Sequence, residues 1–257
     1  MENDIIAIVM AAGKGTRMKS KNSKLVQKIY GKEIVKRAVE NAQKAGVRDI
    51  VAVVGYKKEE VMKVLGDNIK YAYQDEMLGT GHAVMQAKEY LKGKKGKVLV
   101  LNGDVPLIRP ETLNKLIEKS IENKEYATLL TAIYDDPTGY GRIVRDEGGN
   151  IEGIVEEKDT TEEQKKITEI NAGIYCFDIE ALLKALEKVT PNNKQGEYYI
   201  TDVIQIMNDS GLKTGAVLVE DNTEILGIND RIQLGILTKV LQMRINTELM
   251  KNGVTIE

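Results

Sequence analysis

Short apolar runs rich in Ile and Val alternate, through the first half of the chain, with stretches in which apolar positions recur every three or four residues. That alternation is the signature of buried, mostly parallel strands joined by amphipathic helices lying on both faces of a sheet. Residues 5–12, 49–54, 69–73 and 98–102 are expected as strands, and 34–45, 57–65, 81–91 and 110–123 as helices. Gly46 stops the first helix and Pro110 opens the last. The second half has a different texture. Residues 127–133, 170–177 and 216–219 read as strands and 179–188 and 200–208 as helices. Residues 142–144 and 151–155 flank Glu147-Gly148-Gly149-Asn150, a turn sequence that predicts a hairpin arm. From 229 to 250, Leu234, Leu237, Leu241, Ile245 and Leu249 follow helical spacing, with an Asn-Asp start and an Asn252-Gly253 stop. No internal repeat, low-complexity tract or flexible linker interrupts the pattern.

The length, 257 residues, suits one large α/β unit with at most a small appendage. With no Trp and a single Phe, the core must be built from aliphatic side chains, and few platforms exist for stacking single-stranded nucleic acid. A formal charge of -2 gives no sign of a polyanion-coating protein, so no nucleic-acid partner is expected. One His and one Cys cannot supply a His/Cys zinc site or an internal disulfide. The acidic start at residues 1–4 and the short apolar run after it match neither a secretory leader nor a membrane span, so a cytoplasmic protein with no membrane partner is expected.

The loop Met10-Ala11-Ala12-Gly13-Lys14-Gly15-Thr16-Arg17-Met18 follows the first strand. Its small residues and glycines let the backbone approach a bulky anion, and its amides can form an anion-binding nest. No acidic residue occurs between Ile5 and Lys32, whereas Lys14, Arg17, Lys19, Lys21, Lys24, Lys28 and Lys32 all do, a one-signed field that favours a polyphosphate. A strand-to-helix turn followed by a solvated basic face is the competing reading. A dinucleotide-binding fingerprint would need glycine where Met18 stands, and a P-loop needs four residues between its glycines, so neither motif fits.

The loop resembles the G-x-G-T-R-M signature of the sugar-phosphate nucleotidyltransferases, with Lys24 where the family's following lysine is expected and Ser23 in place of the usual proline. Later blocks follow in the family's order: Gln74 with Leu78-Gly79-Thr80-Gly81, Asn102-Gly103-Asp104-Val105-Pro106, Thr138-Gly139-Tyr140-Gly141-Arg142, Ile154-Val155-Glu156-Glu157, Glu169-Ile170-Asn171-Ala172-Gly173, Glu197-Tyr198-Tyr199-Ile200-Thr201-Asp202 and Gly227-Ile228-Asn229-Asp230. Together they cover nearly the whole chain and resemble the branch that joins UTP to N-acetylglucosamine 1-phosphate.

The resemblance implies a Rossmann-like, GT-A-like α/β fold with a mixed, mostly parallel central sheet flanked by helices, a small β-hairpin arm and a long C-terminal helix. It implies a transferase domain over residues 1–228 and a linker helix over 229–257. It implies nucleotide contacts from Met10, Ala11, Ala12, Gly13, Gly15, Lys24, Gln74, Gly79, Thr80, Asn102 and Gly103, and sugar contacts from Gly141, Glu156, Asn171 and Asn229. Arg17, Lys24 and Asp104 would be catalytic, and Mg²⁺ would sit on Asp104 and Asn229. Bland alternatives stay open for several of these residues. Asp104 could form a turn, Thr80 could cap a helix, Glu156 could lie on a solvated face, Asn229 could cap the final helix, and His82 reads best as a packed helical histidine.

Two other functions compete: a sibling enzyme with another sugar 1-phosphate or nucleotide, and a non-catalytic sugar-nucleotide-binding subunit. The latter should have lost Arg17, Lys24 or Asp104, and all three are present. The family branch normally continues into a trimerising hexapeptide-repeat acetyltransferase domain. The sequence contains no hexapeptide repeat, so acetyl transfer is not expected from it and a monomer is left open.

Overall fold

The computed structural model describes residues 5–256. In chain order the strands are β1 (Ile5–Ala11), β2 (Lys28–Ile29), β3 (Lys32–Glu33), β4 (Asp49–Val54), β5 (Lys70–Tyr73), β6 (Lys97–Asn102), β7 (Ala127–Ile133), β8 (Arg142–Arg145), β9 (Ile151–Val155), β10 (Glu169–Asp178) and β11 (Thr214–Leu218). The helices are α1 (Ile34–Lys44), α2 (Lys58–Leu65), α3 (Thr80–Gln86), α4 (Lys88–Leu91), α5 (Pro110–Glu122), α6 (Ile179–Leu186), α7 (Asp202–Asp209) and α8 (Arg231–Lys251). The acidic residues 1–4 and Glu257 lie outside the described residues.

The main sheet runs β11-β7-β10-β6-β1-β4-β5, and only β10 is antiparallel to its neighbours. The strands read as continuous apolar runs because both faces are covered. Alternate residues serve opposite cores. Ala7, Val9, Leu99, Leu101 and Leu130 meet α1 and α5, whereas Ile6, Ile8, Val98, Val100 and Leu129 meet α3, α6 and α7. Each of the Val, Leu and Ile side chains stabilises the fold by roughly 1.5–3 kcal/mol through burial, so the sheet is a rigid platform for whatever its strand ends carry.

The expected hairpin arm is present as β8 and β9, and Asp146 closes its turn by accepting the backbone N–H of Asn150 at 2.8 Å. Several boundaries differ from expectation. The expected helix over 81–91 breaks at Ala87 into α3 and α4. The ribbon β2–β3 was not foreseen, because its turn is Tyr30-Gly31 rather than a familiar Asn-Gly. Both residues take positive φ, at 48° and 81°, as a tight hairpin turn requires. The strand β11 starts earlier than its apolar run, at Thr214, because pairing with Ala127 on β7 carries it there. Along α8, Leu234, Leu237, Val240 and Leu241 join the core, while Ile232 and Met243 face solvent.

Candidate active site

The site lies where the order of connections reverses. From β1 the chain moves one way to β4 and β5 and then returns to β6 on the other side, which opens a crevice at the carboxyl ends of β1 and β6. Met10 pairs with Asn102 in register, so the glycine loop and the Asn102-Gly103-Asp104 block emerge side by side although 80 residues separate Lys24 from Asp104. The Gly103 N–H donates to the Met10 carbonyl at 2.9 Å, and a Cβ at Gly103 would lie 3.0 Å from that oxygen.

A cleft of about 260 Å³ opens here. Of the expected nucleotide residues, Met10, Ala12, Gly13, Lys24, Gln74, Gly79, Thr80 and Asn102 line it, together with Asp104. Leu25, Met77, Ala83 and Glu197 line it as well, although no site role was expected of them. Ala11 and Gly103 are buried behind the lining. Gly15, at φ 57°, lets the loop close over the Lys24 stem, where a Cβ would come within 2.8 Å. Such a position admits little but glycine.

The Lys24 ammonium is the convergence point. It bonds Asp104 Oδ2 at 2.5 Å and Asn229 Oδ1 at 2.9 Å. Asn229 does not cap the last helix; Asp230 does, accepting the Gln233 N–H at 2.8 Å, and this leaves the Asn229 amide facing Lys24. Ser23 in place of proline keeps the loop fixed by another means. Its N–H, which proline lacks, donates to Glu60 of α2 at 2.7 Å. Arg17 stands apart: it is exposed on a short turn at Thr16–Met18, does not line the cleft, and among the described residues makes no hydrogen bond or ion pair.

On the opposite wall, the buried Gln74 amide donates to the Gly79 carbonyl at 3.0 Å and meets His82 Nδ1 at 3.2 Å. Thr80 accepts the Ile200 N–H at 3.1 Å, so its side chain fastens this wall to the 197–201 segment instead of capping its own helix. Gly79, at φ 107°, would place a Cβ 2.5 Å from the Tyr198 carbonyl. His82 also meets Gln86 and is a packed helical histidine, as expected.

A second group gathers beside the first. A Cβ at Gly141 would lie 3.5 Å from Glu156 Oε2 and 3.6 Å from Asn171 Cβ, so three of the four expected sugar residues share one spot, whereas the fourth, Asn229, is bonded to Lys24. Glu156 accepts the Thr201 hydroxyl at 3.0 Å and is only partly accessible, not on a solvated face. Burial pushes its carboxyl upward against the lowering hydrogen bond from Thr201, and Asp202, Asp159 and Glu197 add like-charge repulsion. Burial, with Asp159 nearby, raises Asp202 to about 6.

A carboxyl raised above its unfolded value of 3.8 opposes folding once it ionises. The penalty grows as pH rises from the unfolded value and is complete above the folded one. Asp202→Asn should therefore raise Tm by a few degrees at about pH 8, the group's partial exposure keeping the gain to ~1 kcal/mol or less, and the gain should vanish near pH 4. Melting curves of both proteins at the two pH values check this; an equal difference at both would contradict it.

With the Lys24 ammonium held between Asp104 and Asn229 at the crevice, and Gln74 and the Gly79 turn on the facing wall, the site is built to handle phosphates. Residues 6–224 match the nucleotidyl transferase family, and the chain belongs to that family, whose members join a nucleoside triphosphate to a sugar phosphate with the help of a divalent metal. Among named proteins, it is 52% identical over 253 residues to the bifunctional protein GlmU of Caldanaerobacter subterraneus subsp. tengcongensis, covering 98% of this chain and 55% of that one. It is 50% identical over 252 residues to the protein of the same name from Acetivibrio thermocellus, with the same coverage. The chain thus spans about half the length of the curated relatives it matches. A crystal structure of a protein assigned as a glucose-1-phosphate thymidylyltransferase from Bacillus anthracis, with bound sucrose, superposes with a TM-score of 0.75 at 20% identity, over 92% of this chain and 94% of the other. That likeness concerns the fold.

Proposed function

We propose that this chain transfers UMP from UTP to N-acetylglucosamine 1-phosphate, giving UDP-N-acetylglucosamine, a cell-wall precursor, and pyrophosphate. The observation that carries the reading is the Lys24 ammonium held between Asp104 and Asn229 at the sheet's carboxyl edge, with an amide-lined wall on one side and the Gly141, Glu156 and Asn171 group on the other. The similarity to the GlmU proteins supports the choice of sugar and nucleotide.

The reaction brings two anions together, so positioning and charge stabilisation are the main demands on the protein. Gln74 and the Gly79-Thr80 segment would hold the uracil edge, and the loop amides the phosphates. Lys24 would meet the attacking phosphate. Arg17, exposed and without an ion-pair partner among the described residues, would reach over the triphosphate. Glu156 and Asn171 would bind sugar hydroxyl and acetamide groups, because a carboxylate accepts and an amide both donates and accepts. No general base is required, since the sugar phosphate is already ionised.

The residues fit a divalent metal. Asp104 and Asn229 both aim hard oxygens at one cationic centre, the Lys24 ammonium. Among the described residues no group of three or more His, Cys, Asp or Glu side chains could hold an ion, so the remaining ligands would come from phosphates and water, which is the habit of Mg²⁺. When bound, Mg²⁺ supplies Lewis-acid neutralisation of phosphate charge.

The proposed transferase unit is residues 1–228 with Asn229, α8 serving as a linker arm. No helix among the described residues is long and apolar enough to cross a membrane, in keeping with the cytoplasmic setting we propose. A panel of sugar 1-phosphates against UTP, dTTP, ATP and GTP, read as pyrophosphate release, tests the function. N-acetylglucosamine 1-phosphate with UTP should lead; preference for glucose 1-phosphate or dTTP would replace the assignment with a sibling activity.

A further inference from the structure

The register of β10 against β7 shifts between Asn171, opposite Thr131, and Tyr175, opposite Leu129, so β10 carries extra residues there. Gly173 sits within this bulge at φ 71°. Its N–H donates to Asn171 Oδ1 at 3.1 Å, and its carbonyl accepts from Asn102 Nδ2 at 3.3 Å. One residue, through its two flanking peptide groups, is thereby bonded to a side-chain amide from each half of the site: Asn102 lines the nucleotide cleft, and Asn171 stands with the sugar group. A Cβ at Gly173 would lie 2.6 Å from Asn102 Nδ2, so only glycine permits the approach.

Asn171 is fixed at its other end too, because Nδ2 donates to the Tyr175 hydroxyl at 2.7 Å. The Tyr175 ring is buried and stacked on Phe177 with centroids 5.4 Å apart, so that hydroxyl is immobile. The Gly173 N–H can only donate, which makes its Asn171 partner the amide oxygen and excludes the flipped amide. What remains free on Asn171 is one N–H and one oxygen lone pair, a donor and an acceptor with set directions.

We infer that Tyr175 and Gly173 are positioning residues: Tyr175 orients the Asn171 amide toward the sugar 1-phosphate, and the Gly173 backbone, through its N–H and its carbonyl, ties that amide to Asn102 on the nucleotide side. The inference rests on the proposed transfer reaction for its ligand, not for its geometry. Tyr175→Phe removes the hydroxyl while keeping the ring. In steady-state kinetics with each substrate varied separately, its KM for the sugar 1-phosphate should rise about three- to tenfold, the range one hydrogen bond supports. The KM for UTP and kcat should change less than about twofold. In an Asn171→Ala background, the same substitution should add no further rise. Gly173→Ala, which strains the backbone at this residue and crowds Asn102, should raise both KM values, and thermal melting of each variant separates these effects from loss of fold.

An unchanged sugar KM in Tyr175→Phe, an equal rise in both KM values, or an undiminished effect in the Asn171→Ala background would overturn the inference. If the wild-type protein prefers a different sugar 1-phosphate, the substrate assignment fails, and the same split, read with the preferred sugar, still decides the role of Tyr175.

Discussion

Asp104→Ala should reduce pyrophosphate release by on the order of 10³-fold or more and leave the residual rate unresponsive to added divalent metal. Among the described residues Asp104 is the only carboxylate bonded to Lys24, and its side chain keeps about a fifth of its accessible surface, enough to meet a ligand in the crevice. Removing it takes away a hard oxygen ligand and the anchor of the ammonium together. Its backbone is not at issue: the Asp104 carbonyl still accepts the Ile228 N–H at 3.0 Å, so the crevice should keep its shape. A metal titration of initial rates makes the check. A variant whose residual activity still climbs with metal as in the wild type would remove Asp104 from the metal site.

Lys24→Met should lower turnover by about 10²–10³, the scale lost with one transition-state charge partner. It should also act on metal binding in the opposite sense. The ammonium holds both oxygens that a metal would need, at 2.5 and 2.9 Å. Without it, Mn²⁺ titrated against the protein in the absence of nucleotide, followed by electron paramagnetic resonance of the free ion, should bind more tightly than to wild type. Lys14→Met is the control, since Lys14 is exposed in the same loop and forms no ion pair among the described residues. Equal tightening in both variants would mean that general charge, and not the shared oxygens, governs binding.

The sheet was legible in the sequence because its central strands are buried on both faces and therefore read as unbroken Ile/Val runs. The strand expected at 49–54 is β4 to the residue. The ribbon at Lys28–Glu33 was not legible, because its strands are two residues each and mostly charged. The break at Ala87 was hidden because alanine is the best of helix formers.

For the site, local motifs located the residues that sit at strand ends or in glycine turns, such as Gly13, Gly79 and Asp104. Contacts that depend on the bulge in β10 or on the approach of distant segments left no local trace. Tyr175 reads as an ordinary strand aromatic, Thr201 as a helix start, and Glu197 as one charge among many, yet Asn171 and Glu156 depend on the first two and Glu197 lines the cleft. Arg17 shows the converse limit. Its motif joins it to Lys24 in sequence, but the turn at Thr16–Met18 leaves it in solvent while Lys24 folds beneath Gly15.

The proposed transfer requires the triphosphate to lie at the shared mouth of β1 and β6. Relaxation of the ³¹P signals of UTP by protein-bound Mn²⁺ measures this directly. In the wild-type protein the α-phosphorus should relax strongly, and in Asp104→Ala it should relax no faster than with free Mn²⁺ alone. Equal enhancement in both proteins would put the nucleotide and its metal somewhere other than this crevice.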